Sequence, residues 1–378
     1  MKNKKVKKIV ILSILSVLIL AIIVLISMYF GNIDFRYLVN KNILKKELGE
    51  RDLSYIDLND KGNSYIFAYG KNVAVLNENV LTIYNDSAKK ISEIEVSVSA
   101  PVYMSKDNYL ALADENSGNV YLIRNDSLIW KKTIEGNVSQ IAINKQGEVA
   151  IVVTGTTYKS VIEMFDYKGE EVFKTFLSTN YSTDVSLSDN GNYLSFVEVD
   201  TSGTSIVSKI KTISIDKAKE SPSEAIINNY SFEKGELVVN IEYVNNDMFC
   251  MADNAVYVLK DGNINKKFDI NDKISFVDVD LNGYACRIND NAEDEKHELE
   301  IYNENSDKPS VYLIDEAVKN IYCNNRVVAV NLGNEVDFVN MSGWLIKRFT
   351  PLQNIKDIEM GNGIAAIVYK DRVEFLKL

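Results

Sequence analysis

Residues 140–177 read, in order, QIAIN, KQG, EVAIVVTG, TTYKS, VIEMFDY, KGE and EVFKTFL, and this stretch decides the fold. Short apolar strands alternate with turns that carry glycine, asparagine or aspartate, over a unit of about forty residues. The same pattern returns along nearly the whole chain after residue 53. One small antiparallel sheet cannot bury both of its faces alone, so such units are stable only when they pack against each other. The repeat therefore predicts a β-propeller with one unit per blade.

Eight such units follow residue 53. They occupy residues 64–98, 101–135, 140–177, 183–232, 237–270, 274–314, 318–350 and 355–378. The last unit ends after three strands, whereas residues 53–58 (LSYIDL) form an extra strand ahead of the first unit. Pairing these segments would complete the last blade and remove a free sheet edge. The sequence thus predicts an all-β, eight-bladed β-propeller over residues 53–378. Seven blades is the alternative, if the fourth or fifth unit is a partial sheet.

An apolar segment precedes the repeats. Residues 1–8 carry five lysines, and residues 9–30 carry no charge, with Ile, Leu or Val at fifteen of these 22 positions. A helix of that length crosses the roughly 30 Å hydrocarbon core of a bilayer. A cleaved signal peptide has a shorter apolar region and a small-residue cleavage site, which this segment lacks. We therefore predict a transmembrane signal anchor at residues 9–30, with Tyr29 and Phe30 at the membrane interface.

The lysines of residues 1–8 predict a basic cytoplasmic tail. The propeller is then extracytoplasmic, because long domains translocate largely regardless of their charge. Basic residues also follow the apolar segment, at Arg36, Lys41, Lys45 and Lys46. Residues 31–52 form a juxtamembrane connector, in which Asp34 caps a helical stripe of apolar residues. That helix is either a stalk packed against the propeller or a membrane-surface or partner-binding helix. The predicted localisation is the cell membrane, with a single span.

The propeller is acidic. Without the five lysines that precede Ile9, 37 basic residues face 53 acidic ones, a net charge of −16. Such a domain repels nucleic acid and anionic lipid headgroups, so neither is expected as a ligand. The three cysteines, Cys250, Cys286 and Cys323, are too few and too scattered for a disulfide scaffold or a zinc ribbon. They lie in apolar strand patterns and are read as small buried hydrophobes, with one inter-blade disulfide as the alternative.

Few residues are candidates for chemistry. Residues 278–283 (DVDLNG) match the first half of a calcium loop, but Asn289 stands where that loop needs a bidentate glutamate. The single histidine, His297, follows an acidic stretch predicted as an exposed loop, which makes a Ser-His-Asp triad or a multi-histidine metal site improbable. Paired carboxylates such as Glu163 with Asp166 are placed on solvent faces or turns. The prediction is a protein without enzymatic activity and without catalytic, cofactor-binding or metal-binding residues.

Three hairpins carry a family resemblance. Residues 188–194 (SDNGNYL) resemble the S-x-D-G-x-Y-L hairpins of WD40-like propellers. Residues 166–174 (DYKGEEVFK) and 340–347 (NMSGWLIK) are similar to the D-x-x-G-x-x-x-W hairpins of quinoprotein-like propellers. With the predicted anchor, the chain resembles membrane-anchored bacterial β-propeller proteins of unknown function. Only Trp130 and Trp344 are present where quinoproteins repeat their tryptophans, so no quinone is expected, and both are predicted to pack between blades.

Two functions fit these features. The first is a membrane-tethered, extracytoplasmic and non-enzymatic binding or scaffold module for an envelope protein or an extracellular polymer, engaged through the loops of one face. The second is a small-ligand sensor or an enzyme, quinoprotein-like or glycan-acting, that uses the central channel. A channel enzyme requires polar groups on the innermost strands. The first strands, such as QIAIN at residues 140–144 and NIYC at 320–323, are expected to offer mostly small or apolar residues there.

Overall fold

The computed structural model describes residues 2–31, 39, 54–58, 64–221, 224–244, 247–270, 274–280, 283–291 and 296–378. The chain divides into two compact units, residues 1–52 and 53–378. The helical connector predicted within residues 31–52 lies outside the described residues, apart from one helical position at Val39.

The first unit contains one long helix, α1 (Lys2–Gly31). Its side chains are described over residues 15–29, where the aliphatic residues from Leu15 to Met28 are exposed. Within the described part of the chain, no helix is long and apolar enough to cross a membrane. The membrane span at residues 9–30 therefore stays a prediction.

The second unit begins with β1 (Ser54–Asp57) and continues with four-stranded antiparallel sheets. Blade 1 contains β2 (Tyr65–Tyr69), β3 (Asn72–Asn77), β4 (Val80–Tyr84) and β5 (Lys90–Glu95). Blade 2 contains β6 (Pro101–Lys106), β7 (Tyr109–Asp114), β8 (Asn119–Arg124) and β9 (Ser127–Thr133). Blade 3 contains β10 (Asn137–Ile143), β11 (Val149–Thr154), β12 (Ser160–Phe165) and β13 (Glu171–Leu177). Blade 4 contains β14 (Tyr181–Leu187), β15 (Tyr193–Asp200), β16 (Val207–Ser214), a short helix α2 (Ile215–Glu220) and β17 (Ile226–Ser231).

The second half of the ring repeats this order. Blade 5 contains β18 (Val238–Val244), β19 (Asp247–Ala252), β20 (Ala255–Lys260) and β21 (Asn263–Asp269). Blade 6 contains β22 (Ile274–Asp280), β23 (Tyr284–Asn291), β24 (Lys296–Tyr302) and β25 (Ser310–Ile314). Blade 7 contains β26 (Asn320–Asn324), β27 (Val327–Asn331), β28 (Val336–Asn340) and β29 (Leu345–Phe349). Blade 8 contains β30 (Asp357–Gly361), β31 (Ile364–Val368), β32 (Arg372–Lys377) and, as its outer strand, β1.

The predicted eight-bladed β-propeller is confirmed, because every blade has four strands and none is a partial sheet. Blade 8 takes its outer strand from the start of the domain: β1 pairs antiparallel with β32, from Ser54 opposite Phe375 to Asp57 opposite Arg372. The next residue extends the contact, since the Leu58 amide donates to the Asp371 carbonyl at 2.7 Å. The two ends of the domain thus share one sheet, and this pairing closes the ring.

The hydrophobic core is divided among the interfaces between blades. Each described cluster of buried side chains combines residues from two consecutive blades, as Ile162 of blade 3 and Phe196 of blade 4 illustrate. At the closure, Ile56 of β1 packs in one cluster with Ile66 of blade 1 and Phe375 of blade 8. Alternate positions of each strand therefore face different neighbours, which explains why the middle strands are apolar on both faces.

Blade 4 contains a helix between its third and fourth strands. The apolar alternation of residues 205–216 (SIVSKIKTISID) is typical of one long strand, but its last two residues, Ile215 and Asp216, begin α2. Ile215 and Ala218 are buried against blades 3 and 4. The helix therefore fills space between two blades before β17 resumes the sheet.

Candidate binding site at the mouth of the channel

The first strand of each blade, namely β2, β6, β10, β14, β18, β22, β26 or β30, is an edge strand, paired on one side only. These first strands contact one another around the ring and therefore surround the central axis. Their unpaired N–H and C=O groups face the axis and need hydrogen-bond partners. This requirement places polar side chains where the sequence predicted small or apolar ones.

That prediction about the channel was wrong. Inner strands carry carboxylates and hydroxyls that accept hydrogen bonds from the free edge of the next blade. The Ile241 amide donates to Asp184 Oδ2 at 2.7 Å, and the Tyr243 amide donates to Ser186 Oγ at 2.9 Å, which joins blade 4 to blade 5. The Cys323 amide donates in the same way to Asp278 Oδ2 at 2.6 Å, which joins blade 6 to blade 7.

A buried ion cluster joins residues of blades 2, 4 and 5. Lys106 of blade 2 places its Nζ 2.9 Å from Asp189 Oδ1 of blade 4 and 3.2 Å from Glu242 Oε1 of blade 5. The Lys106 side chain is 0% exposed, and the two carboxylates are about 10% exposed. Burial alone would lower the pKa of Lys106, but the two carboxylates outweigh it and raise that pKa above its ordinary value. This cluster, Lys106, Asp189 and Glu242, therefore ties blade 2 to blades 4 and 5, neither of which is its neighbour in the ring.

A cavity of about 350 Å³ lies at the inner strands of blades 8, 1 and 2. Its polar part is a pair of residues from opposite sides, Tyr103 and Glu359, joined by a hydrogen bond of 2.6 Å from the tyrosine hydroxyl to Glu359 Oε1. Asp357 also lines the cavity and accepts a hydrogen bond from the hydroxyl of Tyr322. Its apolar part includes Phe67, whose ring lies 4.6 Å from that of Tyr103. We call this cavity the channel-mouth cavity.

The cavity and the ion cluster occupy different levels of the same channel. Tyr103 precedes Lys106 by three residues on β6. At about 3.3 Å per residue, three residues separate the two levels by about 10 Å along the strand. Side chains three apart also point to opposite faces of a strand. The cavity is therefore distinct from the ion cluster.

Glu359 differs from an exposed glutamate because it keeps its proton at neutral pH. Burial raises its pKa from 4.5 to about 8, and the negative charge of nearby Asp357 acts in the same direction. The hydrogen bond from Tyr103 opposes these effects without cancelling them. Asp184, on the free edge of blade 4, behaves alike, with a pKa raised to about 7 by burial. The cavity thus contains a neutral Glu359 carboxyl group together with the Asp357 side chain.

We expect the propeller to lose stability as the pH rises from 5 to 8. The folded state holds the Glu359 proton up to about pH 8, whereas the unfolded chain releases it near pH 4.5. The stabilisation is therefore complete below pH 4.5 and is lost as the pH passes the folded pKa, at a cost of about 1–3 kcal/mol after allowance for solvent screening. Urea unfolding at several pH values measures this slope. Glu359→Gln should flatten the slope and Glu170→Gln, on an exposed turn, should not; an equal slope in both variants would contradict the assignment.

The residues singled out in the calcium-like stretch have structural roles. Asp278 accepts hydrogen bonds from the Val279 amide at 2.8 Å and from the Cys323 amide at 2.6 Å. Among the described residues, no group of three or more His, Cys, Asp or Glu side chains is placed to hold a metal ion. His297 was predicted on an exposed loop, which is wrong: it lies within β24, opposite Ile314, and is half-buried.

Other sequence-based predictions, on the cysteines and tryptophans, are confirmed only in part. Cys250 and Cys286 are buried as predicted, whereas Cys323 is half-buried. Trp130 is buried and packs against Phe165, with ring centroids 5.9 Å apart. Trp344 was predicted to pack between blades but is 51% exposed.

The prediction that Glu163 and Asp166 lie on solvent faces or turns is also confirmed only in part. Asp166 is in a turn, where it accepts hydrogen bonds from the amides of Lys168 and Glu170. Glu163 is buried and forms an ion pair with Lys174 at 3.2 Å. The prediction was therefore wrong for Glu163, because a carboxylate on a middle strand faces the neighbouring blade.

An exposed aromatic cluster lies on one face of the ring, next to the loops of blades 3 and 4. It consists of Tyr158, on the loop between β11 and β12, Phe176 at the end of β13, and Tyr181 at the start of β14. These side chains are 39%, 51% and 41% exposed. The rings of Tyr158 and Phe176 lie 4.7 Å apart, and the Lys159 Nζ lies 2.9 Å from the Tyr181 hydroxyl and 4.9 Å from the centre of its ring. We call this cluster the aromatic platform.

The fold is shared with solved propellers of low sequence identity. BamB from Moraxella catarrhalis aligns with a TM-score of 0.54 at 10% identity, covering 87% of this chain and 99% of BamB. Sqt1 from Chaetomium thermophilum aligns with a TM-score of 0.56 at 12% identity, covering 87% and 98%. Sqt1 bound to the N-terminus of the ribosomal protein L10 aligns with a TM-score of 0.53 at 12% identity, covering 87% and 100%.

Comparison with curated proteins gave no match. A family described as a family of unknown function, DUF5711, matches residues 50–378, which include the entire propeller. The match covers far more than half of the chain, and the chain belongs to the DUF5711 family.

Proposed function

We propose that the protein is a membrane-tethered, extracytoplasmic and non-enzymatic binding module whose partner is an envelope protein or an extracellular polymer. The aromatic platform is the observation that carries this proposal. Exposed tyrosine and phenylalanine side chains in a cluster supply large contact area at low entropic cost, and they are typical of binding hot spots. A closed ring in turn holds the loops that carry them in fixed positions.

Tethering is supported by the apolar segment. Residues 9–30 contain no charge and belong to one helix, α1, and five lysines lie ahead of them in the first part of that helix. The positive charges favour a cytoplasmic N-terminus, and the propeller then lies on the other side. A reporter enzyme that is active only in the cytoplasm, fused after Leu378, should be inactive. Activity of that fusion in intact cells would contradict the topology.

Protein binding through a loop face is compatible with this fold. The Sqt1 propeller, similar in architecture, has been solved with the N-terminus of the ribosomal protein L10.

Tyr158 and Tyr167 are matched positions for testing which face binds a partner, because they lie at opposite ends of β12 and so on opposite faces of the ring. Tyr167 is 51% exposed on the turn between β12 and β13.

We expect Tyr158→Ala combined with Phe176→Ala to weaken capture of the partner from solubilised membranes at least about tenfold, because hot-spot aromatics dominate binding energy. Tyr167→Ala is the control and should leave capture unchanged. Both proteins should unfold at the wild-type temperature, since exposed substitutions change stability by only about 0.5 kcal/mol. Loss of capture with Tyr167→Ala alone would assign binding to the opposite face and refute the platform.

The channel-mouth cavity supports a second candidate, a small-ligand sensor. Its neutral Glu359, its Asp357 carboxylate and its Tyr103 hydroxyl converge on about 350 Å³, a size within the range of small-molecule sites. Native mass spectrometry of the purified chain distinguishes the two functions. A ligand retained at one molecule per chain and lost in Glu359→Gln would favour the sensor.

A further inference from the structure

A second pocket lies away from the channel, between the outer part of blade 5 and blade 6. Its volume is about 350 Å³. Its lining includes Phe268 on β21, Arg287 and Asn289 on β23, and Glu300 and Tyr302 on β24. We call it the interblade pocket. It shares no residue with the channel-mouth cavity or the aromatic platform, so its occupancy is independent of the proposed function.

Arg287 is the central group of this pocket. Its side chain is only 3% exposed, and its Nε donates to Glu300 Oε2 at 2.6 Å and to the Tyr302 hydroxyl at 3.1 Å. Its Nη1, by contrast, is buried without a hydrogen-bond partner among the described residues. A buried guanidinium N–H without an acceptor costs free energy, so this atom is poised to donate to a bound molecule.

Asn289 supplies the complementary group. It follows Arg287 by two residues on β23, so the two side chains lie on the same face of the strand. Its Oδ1 is buried and has no donor among the described residues. The pocket thus contains an unused donor and an unused acceptor on one face of β23, and a ligand that carries both a carbonyl and an N–H or O–H could satisfy them together.

The charges around the pocket argue against an anionic ligand. Arg287 is neutralised by Glu300 at 2.6 Å, and the other cation on the rim, Lys267, is neutralised by Asp269 at 2.9 Å. Asp307 adds a further negative charge at the edge and pairs with Lys266 at 3.1 Å. No described cation at the pocket is left over for a phosphate or a carboxylate, so a neutral polar ligand fits best.

The apolar walls favour a ring. Phe268 and Tyr302 stand edge to face, with ring centroids 5.0 Å apart, and Pro309 on the loop between β24 and β25 also lines the pocket. Flat aromatic walls suit the apolar face of a pyranose ring. The volume is at the small end of ligand sites, about 300–1,000 Å³, which suits a compact rigid unit better than an extended peptide.

We propose that the interblade pocket binds a neutral amino-sugar unit with an acetamido group. The acetamido carbonyl accepts from Arg287 Nη1, its N–H donates to Asn289 Oδ1, and the sugar ring packs against Phe268 and Tyr302. An N-acetylated glycan chain is the class of molecule that presents such units.

Isothermal titration calorimetry of the full chain with chitotetraose, a β-1,4-linked N-acetylglucosamine oligomer, tests this assignment, and cellotetraose, which lacks the acetamido groups, is the matched ligand. We expect saturable binding of chitotetraose and at least about tenfold weaker binding of cellotetraose, because the site's buried polar groups would stay unpaired. Asn289→Ala should weaken chitotetraose binding by about the same factor. Arg287→Lys, which keeps the positive charge beside Glu300, should do so as well.

Asn263→Ala is the control, because Asn263 is exposed on β21 and does not line the pocket. This variant should bind chitotetraose as the wild type does. Melting temperatures of all variants show whether a loss of binding reflects unfolding. If Arg287→Lys is unstable, the binding measured for Asn289→Ala tests the proposal. Failure of the wild type to bind chitotetraose at millimolar concentration would overturn the proposal and favour a peptide ligand. Equal binding of both oligosaccharides, or binding that survives both pocket substitutions, would overturn it too.

Discussion

Deletion of residues 54–58 is expected to lower the melting temperature of the propeller by about 6 °C. The deletion removes β1, which forms the outer edge of blade 8. It takes away a ladder of four paired residues and the buried side chain of Ile56, and it uncovers Val373 and Phe375 in the core between blades 8 and 1. Together these losses amount to about 3–5 kcal/mol.

Two substitutions on β1 separate ring closure from a general effect of changing the strand. Ile56 faces the core and Tyr55 faces solvent on the neighbouring position. Ile56→Asp should therefore approach the effect of the deletion, because it puts a charge among apolar side chains. Tyr55→Asp should cost less than about 1 kcal/mol. Differential scanning calorimetry measures both, and an unchanged melting temperature in the deletion variant would refute the role of β1 in closing the ring.

Lys106→Met is expected to destabilise the domain by about 3–5 kcal/mol, because the carboxylates of Asp189 and Glu242 are then left without their buried cation. Urea unfolding measures the loss. The loss should shrink as the pH falls, since protonation removes the uncompensated negative charge. A loss that does not vary with pH would show that packing of the lysine stem, and not its charge, matters.

Lys145 provides the matched control for this experiment. It pairs with the same Asp189, at 3.0 Å, but its own side chain is 39% exposed. Lys145→Met should therefore cost no more than about 1 kcal/mol. Lys106→Met combined with Glu242→Met should recover part of the loss, because removing both members of a buried pair costs less than removing one. Equal losses from the two single lysine variants would contradict the buried ion cluster.

The ring itself could be read from the sequence because its signals are local. Strand length, the two-residue alternation and the turn residues are all contained in one blade, and a period of about 41 residues repeats them. Even the long-range pairing of β1 with β32 followed from local evidence, since one end of the domain had a strand too many and the other a strand too few.

The polar lining of the channel was missed, although part of its signal is local. In several inner strands an Asp or Asn precedes a β-branched residue whose amide it caps, as in Asp184 with Val185, Asn320 with Ile321 and Asp357 with Ile358. The recurrence of this pair at the same place in the repeat marks a free edge that needs acceptors. In blade 3 the QIAIN stretch has Gln140 before Ile141 in place of an Asp or Asn, so it was a poor guide to the other blades.

The ion cluster and the interblade pocket could not be predicted in this way. Lys106 and Glu242 are 136 positions apart and come from blades that are not neighbours. Asp189 reads as an ordinary turn residue within the hairpin at residues 188–194. Similarly, Arg287 can be recognised as a ligand-binding residue only from the structure, because its burial between blades 5 and 6 leaves one of its nitrogens without an acceptor among the described residues. Such sites depend on how blades are arranged around the axis, and a single sequence does not encode that arrangement locally.

Site-specific photo-crosslinking in intact membranes tests the proposed binding function most directly. A photoreactive residue is placed at Tyr158 or Phe176 on the aromatic platform, at Tyr167 on the opposite face, and at Lys356 beside the channel-mouth cavity. We predict adducts with one recurrent partner from the two platform positions and none from Tyr167 or Lys356. Adducts confined to Lys356, or formed equally from both faces, would contradict a binding module that works through its aromatic platform.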